Sequence, residues 1–142
     1  MSNAAAAAHG EVSRISADDA WERAYKEALT TPSWEQAGWL LETIGPRFTA
    51  AGVGVADART VRRWRDERAE PRDHAEQGRL HLLYRITYAI SLVYSTGSVP
   101  ASFLRSANPQ LDDRAPLVLL AGSDPDDAQQ PLLAATRAFL EG

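Results

Sequence analysis

The sequence predicts an all-α protein. Apolar residues recur at spacings of three and four along most of the chain. No segment sustains the apolar–polar alternation of a strand, and the periodic stretches are separated by residues that start or stop helices.

Ser16-Ala17-Asp18-Asp19 has the form of a helix start, with Ser16 as N-cap and acids in the first turn, where the helix dipole favours them. Ala20, Trp21, Ala24, Ala28 and Leu29 carry one face to about Leu29, and Thr30-Thr31-Pro32 ends the helix. Ser33 with Gln36 predicts a capping box. It opens a second helix striped by Trp34, Ala37, Leu40, Leu41 and Ile44 and closed at Gly45. Pro46 suits the first position of a short third helix, with Phe48, Ala51 and Val53 facing inward. Gly52-Val53-Gly54 allows a tight turn, Val55 anchors it, and Asp57 caps the next helix.

That next stretch, Asp57 to Arg72, holds six of the fifteen Lys and Arg residues in sixteen positions. At about 100° per residue, Val61 and Trp64 share one face and Arg59, Arg62 and Arg63 the opposite one. One side can dock on a core while the other presents guanidinium groups, as a helix entering the DNA major groove must. Residues 46–67 therefore read as helix, glycine-containing turn and recognition helix. The same face also fits a solvated charged surface, because Asp66 lies on it and Glu67 and Glu70 follow.

Pro71 ends the unit, and Asp73 with Glu76 starts the longest helix, about Asp73 to Tyr94. Its stripe of Leu82, Leu83, Ile86, Ala89, Ile90 and Val93 is widened by Leu80, Tyr84, Tyr88 and Leu92. A surface this broad predicts a central helix buried between two lobes, or partly in a dimer interface. Ser95-Thr96-Gly97 stops it. Ser98 caps a short helix, Val99 to Arg105; Asn108-Pro109 forms a turn; Arg114 to Ala121 is a short helix with Gly122 as C-cap. Asp124-Pro125 begins the last element, striped by Leu132, Leu133, Thr136, Phe139 and Leu140. Pro131 either kinks that helix or begins it.

Composition narrows the function. Hydrophobic content of 44% and charged content of 24% are those of an ordinary globular chain. No apolar run approaches the roughly 20 residues of a membrane span. The absence of cysteine excludes disulfide and thiolate chemistry and fits the cytoplasm. MSNAAAAAHG lacks the pattern of a signal peptide, and residues 1–15 are expected to be a disordered tail. Net charge is −4, yet residues 47–85 carry nine cations against six anions, between acidic ends with three against seven and three against six. A basic middle marks one surface suited to a polyanion.

Catalysis is not expected. His9, His74 and His81 do not form a metal set, since His74 and His81 stand two helical turns apart. There is no G-x-G-x-x-G, Walker loop, G-x-S-x-G or H-E-x-x-H. Asp112-Asp113 and Asp126-Asp127 sit beside turns and helix starts, where capping accounts for them. No enzyme, cofactor or metal is predicted.

The C-terminal third reads Phe103-Leu104-Arg105, Asn108-Pro109-x-Leu111, Arg114-x-Pro116-Leu117-x-Leu119-Leu120 and Ala134-x-x-Arg137-Ala138-Phe139-Leu140. This pattern resembles the toxin-binding domain of the Xre/MbcA/ParS-type antitoxins. Upstream, Thr60-Val61-x-x-Trp64 with Pro71 is similar to that family's Xre-like helix-turn-helix. The likeness covers about Trp34 to Gly142. The chain departs from the pattern at Phe103, where tryptophan is usual, and at Asp112-Asp113, which replace a glycine-containing turn. A third departure is Glu67, where glycine often follows the recognition helix.

The resemblance implies N-terminal helices with the Xre-like helix-turn-helix over 16–72, the long central helix over 73–97 and a small helical toxin-binding lobe over 98–142. It further implies a dimeric antitoxin of a type II toxin–antitoxin pair. Such a protein occludes a RES-domain, NAD-degrading toxin and binds its own operator. DNA contact then maps to Arg59, Thr60, Arg62 and Arg63. Toxin contact maps to Asn108, Pro109, Leu111, Arg114 and Pro116, and to the tail residues Arg137, Phe139, Leu140 and Gly142. By spacing alone, Leu111, Leu117 and Leu120 also read as core, whereas Arg137 falls on the polar side of the last stripe, where a partner is met. The competing reading is a free-standing helix-turn-helix transcription regulator with a C-terminal dimerisation domain. A third is an interaction module without DNA binding.

Overall fold

The computed structural model describes residues 15–95 and 98–142. The residues assigned to an N-terminal tail before Ile15, and the Thr96-Gly97 stop, lie outside the described residues. Among the described residues the protein is all-helical, with eight α-helices and no strands.

Helix α1, Ala17–Thr30, is capped as expected: the Ser16 hydroxyl accepts from Asp19 N at 3.0 Å. Helix α2, Ser33–Thr43, departs from expectation at its start. Pro32 occupies the N-cap, so Ser33 is already the first helical residue and makes no capping hydrogen bond. Gln36 turns the other way. Its Nε2 donates to Ala28 O at 3.1 Å and Thr31 O at 2.9 Å, satisfying carbonyls at the end of α1. Gln36 thus joins two helices instead of helping to start one, and the Ser33 hydroxyl is buried without a hydrogen-bond partner among the described residues.

Helix α3, Pro46–Val53, begins with Pro46 after Gly45 at φ 89°. It buries Thr49, Ala50, Gly52 and Val53. Ala51, expected inside, is exposed: with 49, 50 and 53 forming the inner stripe, position 51 is rotated outward by about 100° from its neighbour. The helix ends at Gly54 in the left-handed region at φ 87°, where only a residue without Cβ is unstrained. Helix α4, Ala58–Glu67, follows with Asp57 as N-cap and buries only Val61 and Trp64.

Helix α5, His74–Val93, is the longest, and Asp73 caps it by accepting from Glu76 N at 3.0 Å. It buries nine residues on a broad surface and packs against α1, α2, α3, α6 (Ser98–Arg105) and α8 (Pro125–Glu141). Tyr84 and Tyr88 stack at 5.5 Å and both meet Trp39 of α2, at 5.3 and 5.4 Å, a geometry that adds to plain area burial. The buried apolar side chains form one continuous cluster running from Ala20 to Leu140.

One expectation near the C-terminus is revised, and Pro131 is shown not to begin the last helix. Helix α7 spans Pro116–Ala121 and does not reach back to Arg114. Pro116 forces Ala115 into extended backbone, at φ −72° and ψ 142°. Arg114 instead pairs its backbone with Asn108, closing a loop around the 3₁₀ turn Pro109–Leu111. Helix α8 runs unbroken through Pro131. Both Pro131 and Asp127, whose carbonyl loses its usual donor, are exposed, so water can replace the missing bond.

One side chain ties several of these ends together. Arg79 of α5 donates from Nη1 to Val53 O at 3.4 Å, from Nε to Leu120 O and Ser123 O at 3.2 Å each, and from Nη2 to Ser123 O at 3.0 Å. These are carbonyls at or just beyond the C-termini of α3 and α7, where the helices leave acceptors unpaired and the dipole favours a cation.

Candidate functional site

The arginine-bearing helix α4 presents its predicted residues unequally. Asp57 caps the helix by accepting from Arg59 N at 2.9 Å and also holds the Arg59 guanidinium, with Nε at 3.0 Å and Nη2 at 2.8 Å. The Arg59 side-chain hydrogen bond is the main reason the Asp57 carboxyl lies below the usual carboxylate range, and the same bond pushes Arg59 up. Both groups are exposed, so solvent screens the pair, and Asp57 competes with any partner anion for the Nε and Nη2 donors of Arg59. Arg62 and Arg63 are exposed and have no ion pair among the described residues. Thr60 is half-buried. It borders a polar groove of about 340 Å³ with Arg63, Arg72, Glu67, Glu70, Asp73 and Glu76, four of them acids. The free positive charge of α4 is thus concentrated at Arg62 and Arg63, with carboxylates flanking its C-terminal end.

Packing fixes how α4 is presented. Val61 and Trp64 are buried at 0% and 3% exposure. The Arg65 stem crosses Gly38 of α2 so closely that a Cβ there would stand 3.3 Å from it, while its Nε donates to Asp66 Oδ1 at 2.8 Å. Asp66 is therefore held toward Arg65 rather than left free among the other arginines. After Glu67 the chain turns at Arg68, in the left-handed region at φ 51°, with its guanidinium 5.0 Å from the Trp34 ring.

The C-terminal candidates divide into groove, core and ion pair. Asn108, Pro109 and Phe139 border one open groove of about 550 Å³ with Ser98, Ser102 and Phe103. Phe139 packs on Phe103 at 4.8 Å and Tyr94 at 5.4 Å, so the groove floor is aromatic. The Asn108 side chain accepts from Gln110 N at 2.9 Å, and its backbone bonds Arg114 O and Asp113 N. Leu111, Pro116 and Leu140 are buried, while Arg114 and Gly142 are exposed. Arg137 is half-buried and paired with Asp18 of α1 and, at 3.4 Å, with Glu141. The structure thus gathers Asn108, Pro109 and Phe139 at one place and ties Arg137 to the first helix.

In that loop Asp112 and Asp113 both lie in the left-handed region, at φ 56° and 64°. Aspartate tolerates this conformation better than most residues but still less well than glycine. Asp113→Gly is expected to raise stability by about 0.5–1 kcal/mol. An unchanged or lowered midpoint in urea denaturation would show that the Asp113 side chain stabilises the loop in some other way.

A further cavity escaped the sequence reading. It lies among α1, α5 and the start of α8 and includes Tyr25, His81, Arg85 and Gln129. These residues are scattered over three helices, and the one local hint is a charged Arg85 set between the buried Tyr84 and Ile86. No group of three or more His, Cys, Asp or Glu residues among the described residues could hold a metal ion. None of the described helices is long and apolar enough to cross a membrane.

No family model matches the chain, and no match was found among curated proteins or solved structures.

Proposed function

We propose that this chain is the antitoxin of a type II toxin–antitoxin pair, acting as a homodimer. In this reading it binds and occludes a RES-type, NAD-degrading toxin through its C-terminal region and represses its own operon through α4. The observation that carries the reading is the convergence of Asn108, Pro109 and Phe139 on one aromatic-floored groove. A concave, partly apolar surface held by a closed backbone loop suits a protein segment, because little ordering entropy remains to be lost on the antitoxin side. Arg62 and Arg63 support the second role as exposed cations, without an ion pair among the described residues, on a helix whose other face is docked.

Co-expression tests the first role. The neighbouring reading frame is expected to arrest growth alone and to be neutralised by this chain. Ser102→Trp, at an exposed position on the groove, is expected to abolish neutralisation without lowering the melting temperature. A neighbouring product that is harmless alone, or that stays toxic beside the unaltered chain, rules the antitoxin reading out.

The free-standing regulator is favoured by a different observation: Leu111, Pro116 and Leu140 are part of the interior, as a purely structural C-terminal half requires. It predicts operator binding with no toxin partner. Both readings share one expectation. Arg62→Ala with Arg63→Ala should lower the slope of log affinity against log salt by about 2, one per lost phosphate contact. An unchanged slope removes α4 from the DNA interface and leaves an interaction module.

A further inference from the structure

The cavity among α1, α5 and α8 has a volume of about 430 Å³, within the roughly 300–1,000 Å³ of small-molecule sites. One wall is apolar, built from Ala28 and Leu29 of α1, Leu82 of α5 and Pro125 of α8. Leu29 is 68% exposed at the rim, and Tyr25 on the same cavity is 45% exposed.

Arg85 also borders this cavity, flanked by two aromatic rings. Its guanidinium carbon lies 4.6 Å from the Trp21 ring centroid and 4.7 Å from that of Tyr25. Among the described residues it has no ion pair, and its Nε is shut from solvent with no hydrogen-bond acceptor. Aromatic faces attract the cation but are poor acceptors, so the enclosed Nε lacks an oxygen partner, while the half-buried guanidinium keeps its other N–H donors open to a ligand. Gln129 and His81 add polar groups to the same cavity. Burial holds the His81 imidazole below its usual range, against a smaller opposing pull from Glu70, which favours its neutral form beside the Arg85 cation. Among the described residues that border the cavity the one carboxylate is Asp126, which is exposed and stands on the first turn of α8.

We propose that this cavity binds a small carboxylate with a compact apolar or aromatic body, its carboxylate held by Arg85 and its body against Leu29, Leu82 and Pro125. A planar carboxylate matches the fork of guanidinium donors, and an apolar body covers the leucine that the fold leaves exposed. The site is separate from both α4 and the Asn108 groove, so it stands whether or not the antitoxin reading does.

Benzoate is the probe, with benzamide as its neutral isostere, followed by calorimetry and by the Arg85 side-chain N–H signals in NMR. Benzoate is expected to bind saturably and shift those signals, and benzamide to bind roughly tenfold more weakly or not at all. Arg85→Met is expected to lose benzoate binding. Leu29→Glu changes only an exposed position, so it should leave the fold intact while placing a like charge at the rim and weakening benzoate. Asp126→Asn should leave affinity equal or higher. Equal binding of benzamide, Arg85 signals that benzoate does not move, or full affinity in a folded Leu29→Glu protein would each overturn the proposal.

Discussion

Trp64→Ala is expected to destabilise the protein by about 3–5 kcal/mol, the usual cost of truncating a buried tryptophan. Against a total of about 5–15 kcal/mol for a domain of ordinary stability, that is a large fraction. The argument for a high value is specific to α4. This helix buries only Val61 and Trp64, and the indole supplies most of the apolar area that holds it. Its remaining ties are an exposed Asp57–Arg59 pair, the Arg65 stem over Gly38 and the left-handed turn at Arg68. None of these replaces a buried aromatic ring. Urea denaturation should show the loss, and hydrogen exchange should show where it falls: amides from Ala58 to Glu67 should lose protection before those of α5. A cost under about 1 kcal/mol would mean that α4 is not docked through Trp64, and the orientation of Arg62 and Arg63 would need another source.

Arg79→Met is expected to cost about 3 kcal/mol, because hydrogen bonds from a charged donor to enclosed carbonyls contribute roughly 1.5–3 kcal/mol and several acceptors lose their partner at once. Methionine keeps much of the apolar stem, so the substitution isolates the guanidinium. The acceptors Val53 O, Leu120 O and Ser123 O are brought together only by the crossing of α3, α5 and α7. Arg79→Lys should recover less than half of the loss, since an ammonium lacks the planar fork that reaches carbonyls on two sides. Comparing the urea midpoints of the two variants checks this. If lysine restores stability fully, the residue acts through charge alone at the helix ends and the hydrogen bonds contribute little.

The two substitutions differ in what they say about the candidate surfaces. Trp64 governs how α4 is held, so its loss should disturb the presentation of Arg62 and Arg63 more than the C-terminal groove. Arg79 links the turn after α3 to the region after α7, so its loss should loosen both ends.

What the sequence alone determined was local. The all-α class followed from helical periodicity, and the caps at Ser16, Asp57, Asp73 and Asp124 are formed by side chains acting within a few residues of themselves. Gly54 and Pro46 likewise declare backbone states that neighbours cannot easily override. The same local reasoning misassigned Ser33–Gln36, because the amide of Gln36 found acceptors on a different helix. It placed Ala51 inside, because a short helix's phase is set by what it packs against. Whether Pro131 interrupts the last helix was decided by its exposure, which no periodicity encodes. For the candidate sites, spacing put Arg59, Arg62 and Arg63 on one face, but only the folded chain showed that Asp57 occupies Arg59 and that Arg62 and Arg63 have no ion pair among the described residues. Phe139 lies far along the chain from Asn108 and Pro109, and the cavity beside Arg85 draws on three helices. Such sites are made by tertiary packing, which brings distant residues together through burial rather than through any pattern in the intervening chain.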